Sequence, residues 1–209
     1  MTVLKFWRVH PNVKLPKHQT EGSACFDLAF QGYGKFKVTG FNRMNKPVER
    51  LLEQSMTISP GDRMMVPTGL VMDIPKGYSV RLHARSGMSL KQGLILANAE
   101  GVVDSDYVQE VMVLVHNISS NQIVIQTGDR IAQAELVEDV KYSIAETPAR
   151  PGVKTNRTGG MGSTGISLNG NSIVIKVAEP NPAIPQKKIT KAPVKKVATK
   201  KPVRTKKKV

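Results

Sequence analysis

Cysteine is almost missing from this chain. Cys25 stands alone, so no disulfide can close within the chain and no Cys pair has zinc-ligand spacing. The four histidines (His10, His18, His83 and His116) show no metal spacing either. Aromatic residues make up 5% of the sequence, so a packed core has to rest on Val, Ile, Leu and Met. No apolar run approaches the ~18 residues that a membrane-crossing helix needs. Residues 1–17 have neither an apolar stretch nor a small-residue cleavage pattern, so no secretion signal is expected. A reducing cytoplasm is the expected compartment: the host's cytoplasm for a virus-borne copy, with the nucleus an alternative in a eukaryote.

Acidic residues are also scarce, 16 against 31 basic ones, and the deficit is local. The stretch from Lys176 to Val209 holds 12 of the basic residues and one acid, Glu179. It therefore carries +11 of the total +15 and leaves +4 for residues 1–175. The basic pI describes a tail, and the remainder has the balance of an ordinary folded domain.

What is present is a succession of short strand patterns. Residues 79–84 (SVRLHA) alternate with period two, as a half-buried strand does. Residues 111–115 (VMVLV) are continuously apolar, which predicts a strand covered on both faces. Residues 123–125 and 131–137 continue the series. Ser59-Pro60-Gly61-Asp62 and Gln126-Thr127-Gly128-Asp129 repeat one turn chemistry, a Gly-Asp turn before a strand. Between residues 32 and 55 the composition suggests an insertion. Within it, Pro47 and the spacing of Val48, Leu51 and Leu52 predict a short helix. Many short strands with almost no helix mean an all-β sandwich or barrel. Residues 1–146 are expected to form it and 147–177 a Gly-rich arm with a last strand at 172–177. Residues 178–209 form a disordered Lys/Pro-rich tail, too polar to bury a core.

Four stretches have the chemistry of a nucleotide site. Ala84-Arg85-Ser86-Gly87 ends a strand with a guanidinium, a hydroxyl and a Gly amide, all donors for a polyphosphate. Gly101-Val102-Val103-Asp104-Ser105-Asp106-Tyr107 lies between two apolar strands; if they pair, it is a hairpin tipped with two acids and an aromatic. Gly128 to Gln133 sets an amide side chain just after a turn. Arg157-Thr158-Gly159-Gly160-Met161-Gly162-Ser163 is Gly-rich but lacks the Gly-Lys-Ser/Thr of a phosphate-binding P-loop. Taken singly, each has a bland reading: a turn, a capping acid, a sheet-edge amide, a linker. Only their joint occurrence argues for a site.

In this order, the stretches resemble the trimeric dUTPase family, with Gly22-Ser23-Ala24-Cys25-Phe26-Asp27-Leu28 as a further motif. The resemblance implies a jelly-roll β-barrel that forms a homotrimer, each site built from all three subunits and closed by the C-terminal arm. It implies hydrolysis of dUTP to dUMP and pyrophosphate with Mg²⁺. Asp104 would be the general base for in-line water attack at the α-phosphorus. Arg85, Ser86, Gly87 and Gln133 would hold phosphate oxygens. Asn98, Gly101, Val102, Val103 and Met112 would read uracil, with Tyr107 packed on the sugar to exclude a 2′-hydroxyl. Asp27 would hold the metal through water, and Asp106 would brace the site by pairing with Arg85. Arg157, Met161, Gly162 and Ser163 would belong to the closing arm. The chain departs from the family pattern at Ala84 (usually Pro), Gln109 (usually Gly) and Met161 (usually Phe), and Arg157 stands one position late.

Two other readings stay open at this point. The related dCTP deaminases share the fold, but their catalytic Glu aligns with Leu114, which cannot move protons. A non-catalytic nucleotide-binding regulatory protein is the alternative from another class. The basic tail suits weak, salt-sensitive nucleic-acid binding, against the simpler reading of a solubilising extension.

Overall fold

A computed structural model describes residues 2–34 and 36–156. The chain divides into two compact units, Met1–Ala145 and Glu146–Val209. In the second unit, residues 146–156 hold no helix or strand. Arg157, Met161, Gly162, Ser163, the expected strand at 172–177 and the basic tail lie outside the described residues.

Among its described residues the first unit is all-β apart from one short helix. Its strands are β1 (Lys5–Arg8), β2 (Phe26–Ala29), β3 (Phe36–Phe41), β4 (Pro47–Leu52), β5 (Ser55–Ile58) and β6 (Arg63–Asp73). They continue with β7 (Tyr78–Ala84), helix α1 (Ser86–Gln92), β8 (Leu94–Leu96), β9 (Gly101–Val103), β10 (Glu110–Asn117), β11 (Ile123–Gln126) and β12 (Arg130–Glu138). One sheet runs β4-β3-β6-β10-β8 with β1 paired on β6; a second is β2-β12-β7-β9, and β11 pairs with β5. Every pairing is antiparallel. Leu28, Val80, Leu82 and Ala134 of the β2-β12-β7-β9 sheet are buried, as are Met64, Val66, Val113 and Val115 of the larger sheet. Ile58 and Ile125 belong to the same core. As the composition requires, Phe26 and Phe30 are the only aromatics in its buried part among the described residues.

The two Gly-Asp turns share one geometry. Gly61 (φ +79°) and Gly128 (φ +99°) take left-handed backbone conformations, and the amides of Asp62 and Asp129 donate three residues back to Ser59 and Gln126. A type II turn needs that φ at its third position, which is why glycine stands there twice.

Two expectations need correction. Residues 47–52 form β4, paired with β3 from Phe36↔Leu52 to Phe41↔Pro47. Every residue of the segment is paired with β3, and that ladder overrides the local helical spacing. Asn42 fixes the connecting turn by accepting from the amides of Met44 and Lys46 through Oδ1. The stretch expected as an insertion, 32–55, is thus largely a β-hairpin. The second correction concerns β10, where buried and half-buried residues alternate and Glu110, Met112, Leu114 and His116 form the half-buried set. The chain by itself covers one face of this strand and leaves apolar side chains on the other.

Candidate active site

One part of the site is the row where β2, β12 and β7 lie side by side. The register sets Asp27 beside Gln133 and Gln133 beside His83. One step further, β7 gives way to Arg85, which enters α1 in an extended conformation (φ −89°, ψ 127°). The Arg85 Nε lies 2.9 Å from one oxygen of Asp27, and Arg130 Nη1 lies 2.9 Å from the other. Arg85 Nη1 also donates to the Arg130 carbonyl at 2.8 Å. Two guanidiniums on one carboxylate leave a net positive cluster. Asp27 is its buried member, with 13% side-chain exposure against 25% for Arg85 and 47% for Arg130. An incoming polyanion therefore meets the cations first. Ser86 and Gly87 are exposed beside them, and Gln133 donates to the Ala84 carbonyl at 3.1 Å. Asp27 and Arg130 also line a cavity of about 350 Å³ that Lys14 and Lys17 enrich in positive charge.

The other part is a cleft of about 220 Å³ at the hairpin, lined by Asn98, Gly101, Val102, Val103, Asp104, Tyr107 and Met112. The strands flanking it do pair, β8 with β10 through Val115↔Leu96. The turn Asp104–Tyr107 closes with the Tyr107 amide donating to the Asp104 carbonyl at 3.1 Å. The Tyr107 hydroxyl donates to the Glu110 carbonyl at 3.1 Å. That bond leaves the ring partly exposed, at 41%, on the cleft wall. Glu110 fixes the base of the hairpin: its Oε1 accepts the Gly69 amide at 2.7 Å, where β6 bulges outward. Burial pushes the Glu110 carboxyl above its ordinary range, and the Gly69 hydrogen bond opposes this in part.

These parts do not meet within one chain. β9 pairs with β7 through Val80↔Val103 and Leu82↔Gly101, so Asp104 emerges level with the start of β7. Arg85 and Ser86 follow its end. At ~3.4 Å per residue the acid and the hydroxyl are roughly 20 Å apart. Within one chain, Asp106 and Arg85 are kept apart for the same reason. Asp106 is exposed on the far hairpin, and Arg85 is taken by Asp27.

Arg130 is the functional cation that sequence reading passed over. Its position opposite Ala29 at the end of β2 brings it to Asp27, and that cross-strand register is not visible along the chain. Cys25 is half-buried; burial first, then the charges of Glu135 and Asp27, push its thiol upward, so it is a poor nucleophile. Among the described residues no three His, Cys, Asp or Glu side chains gather to hold a metal ion. A lone carboxylate already held by two guanidiniums would reach a cation only through water, and only one that a triphosphate brings with it. It does not fit a cation needing a protein cage.

Against this geometry the comparisons with known proteins are specific. The sequence model for dUTPase matches residues 51–165. The chain belongs to the dUTPase family. Among its relatives, a deoxyuridine 5'-triphosphate nucleotidohydrolase of Sinorhizobium medicae is 38% identical over 158 residues, covering 73% of this chain and 84% of that protein. The protein of the same name from Helicobacter pylori strain P12 is 32% identical, covering 78% and 97%. Among solved structures, a Streptococcus mutans dUTPase superposes with a TM-score of 0.52 at 23% identity, over 66% of this chain and 98% of that one. The dUTPase of Staphylococcus bacteriophage 80alpha with dUpNHpp reaches 0.62 at 18% identity, over 79% and 100%. At these identities the dUTPase structures establish the shared fold.

Proposed function

We propose that this chain hydrolyses dUTP to dUMP and pyrophosphate, at a site completed by neighbouring copies in a homotrimer. The observation that carries the reading is the separation of Asp104, level with the start of β7, from Arg85 and Ser86, past its end. One side offers a carboxylate at the rim of a base-sized cleft, the other a cationic row. Neither can work alone, and a second copy is needed to bring them together. Half-buried Met112 and Leu114 on the outer side of β10 support the assembly. So does the alternating apolar segment Val140, Tyr142 and Ile144, which is 80% exposed or more. The barrel closure of the family fold belongs to this assembled state.

Asp104 takes the proton of a water aligned with the α-phosphorus, and the water oxygen attacks as pyrophosphate leaves. Arg85 and Ser86 neutralise the charge that develops on the leaving group, and Gln133 adds a hydrogen bond beside them. Asp27 is the residue that would hold Mg²⁺ through water, and the ion would supply neutralisation of the triphosphate charge. A structure of the dUTPase from phage phi11 of Staphylococcus aureus describes a structural Mg(II) ion, which supports a metal in this family. Uracil is read by Asn98 and by the main chain around Gly101 and Val102. A cytosine there leaves buried donors and acceptors unmatched. Tyr107 beside the sugar disfavours ribose. The arm residues Arg157, Met161, Gly162 and Ser163 close the site and exclude water. A deaminase reading has no support, because Leu114 offers no proton-transferring group.

The test is pyrophosphate release from dUTP, UTP, dTTP and dCTP, with Mg²⁺ and with chelator. Turnover of dUTP alone, abolished by chelator, is the expected result. Asp104→Asn should lower kcat by about 10²–10⁴-fold with dUTP still bound. Equal turnover of UTP would remove the Tyr107 argument, and an active Asp104→Asn protein would remove the base.

A further inference from the structure

The turn that presents Asn98 to the base cleft is strained. Ala99 has φ +61°, one of two non-glycine residues with positive φ among those described. The Glu100 amide donates to the Asn98 carbonyl at 2.7 Å. A two-residue hydrogen bond around a positive φ is the γ-turn that L-residues rarely hold, and it persists only where its surroundings impose it. On the Leu96 side, the imposing contact is Ala97, whose amide donates to Leu114 at 2.9 Å. On the other side the turn runs into Gly101, and the Glu100 side chain lies against the Arg81 and His83 side chains of β7. One Glu100 oxygen lies 3.6 Å from Arg81 Nη1 and the other 3.8 Å from His83 Nδ1. His83 Nε2 in turn lies 3.1 Å from Glu135 on β12. The clamp thus rests on two paired strands. One of them, β12, also carries Gln133 of the phosphate row.

We propose that Glu100, held by Arg81 and His83, is a positioning residue for uracil recognition, fixing the strained Asn98–Glu100 turn and with it the Gly101 main chain. The assignment of the cleft to uracil rests on the dUTPase reading above; the clamp on the turn does not. Glu100 is not among the residues that line the cleft. Its effect is to keep Asn98 and the Gly101 backbone at the spacing that a uracil edge requires, so removing it loosens base selection before it slows chemistry.

The test combines kinetics with amide hydrogen exchange on the full-length protein, for wild type, Glu100→Ala, Glu100→Gln and Glu100→Ala with Ala99→Gly. Exposed ion pairs are weak, so Glu100→Ala should raise KM for dUTP about three- to fivefold and narrow the preference for dUTP over dCTP. Its kcat should stay within about twofold of wild type. In ligand-free protein, exchange at the Glu100 and Gly101 amides should accelerate while the strands keep their protection. Glycine adopts positive φ without strain, so adding Ala99→Gly should restore KM and protection together. Glu100→Gln should fall between wild type and Glu100→Ala. Unchanged exchange and unchanged KM in Glu100→Ala would overturn the proposal, as would a loss that Ala99→Gly does not recover. If the wild type fails to turn over dUTP, the functional reading falls, and the exchange data still decide whether Glu100 clamps the turn.

Discussion

Glu110 shows how one side chain serves stability and site geometry together. Its carboxylate accepts the Gly69 amide inside the bulge of β6, while its carbonyl holds the Tyr107 hydroxyl. Burial, partly offset by the Gly69 bond, raises its pKa in the folded state. An acid that holds its proton more tightly when folded contributes stability at low pH. That contribution is lost as pH rises from the ordinary carboxylate value through the raised one. Glu110→Gln keeps an oxygen to accept from Gly69 and removes the ionisation. Its melting temperature should equal or exceed wild type at pH 7, with the wild type gaining on it as pH falls towards 4. Parallel melting curves across that range would contradict the assignment. The same residue scale explains Arg85: in the free chain it is held by Asp27 and the Arg130 carbonyl, preorganised for a phosphate.

At the scale of elements, what matters is how closely β9 lies on β7. A Cβ added at Gly101 would come within 2.9 Å of the Leu82 Cβ, and Leu82 is buried and also lines the base cleft. Gly101→Ala should therefore push β9 outward, costing about 1–3 kcal/mol in stability and raising KM for dUTP. Thermal melts and steady-state kinetics check this; an unchanged KM would mean that the β9 main chain does not read the base. Much of this level was legible in the sequence. The alternation in residues 79–84 became β7, the apolar run at 111–115 became the centre of β10, and the repeated Gly-Asp turns took one geometry. The residues from Asn98 to Met112 that were expected to read the base do line one cleft. Less legible was whatever depended on pairing between distant strands. The spacing of Val48, Leu51 and Leu52 suits a helix, yet β3 turns the segment into a strand. Helix α1 went unseen because none of its seven side chains is fully buried and Met88 alone packs against the core, which leaves no apolar period to read. Arg130 and Glu100 act through cross-strand neighbours, so only the register of β2, β7, β9 and β12 reveals them.

At the scale of the whole molecule, the charge is uneven along the sequence: a small positive excess over residues 1–175 and a strongly basic stretch from Lys176 onward. We propose that this stretch adds weak nucleic-acid affinity by counterion release. Deleting residues 178–209 should abolish DNA binding at low salt and leave dUTP turnover intact; DNA binding that survives the deletion would locate the affinity elsewhere. The assembly itself is the larger claim, because Asp104 and Ser86 lie at opposite ends of β7. It is tested by mixing two inactive proteins, Asp104→Asn and Arg85→Ala, unfolding them together and refolding them. If each site takes its carboxylate from one subunit and its arginine from another, random trimers contain intact sites. Pyrophosphate release from dUTP should then return to about a quarter of the wild-type rate. A mixture no more active than its two parents would mean that each chain builds its site alone, and the account would be wrong.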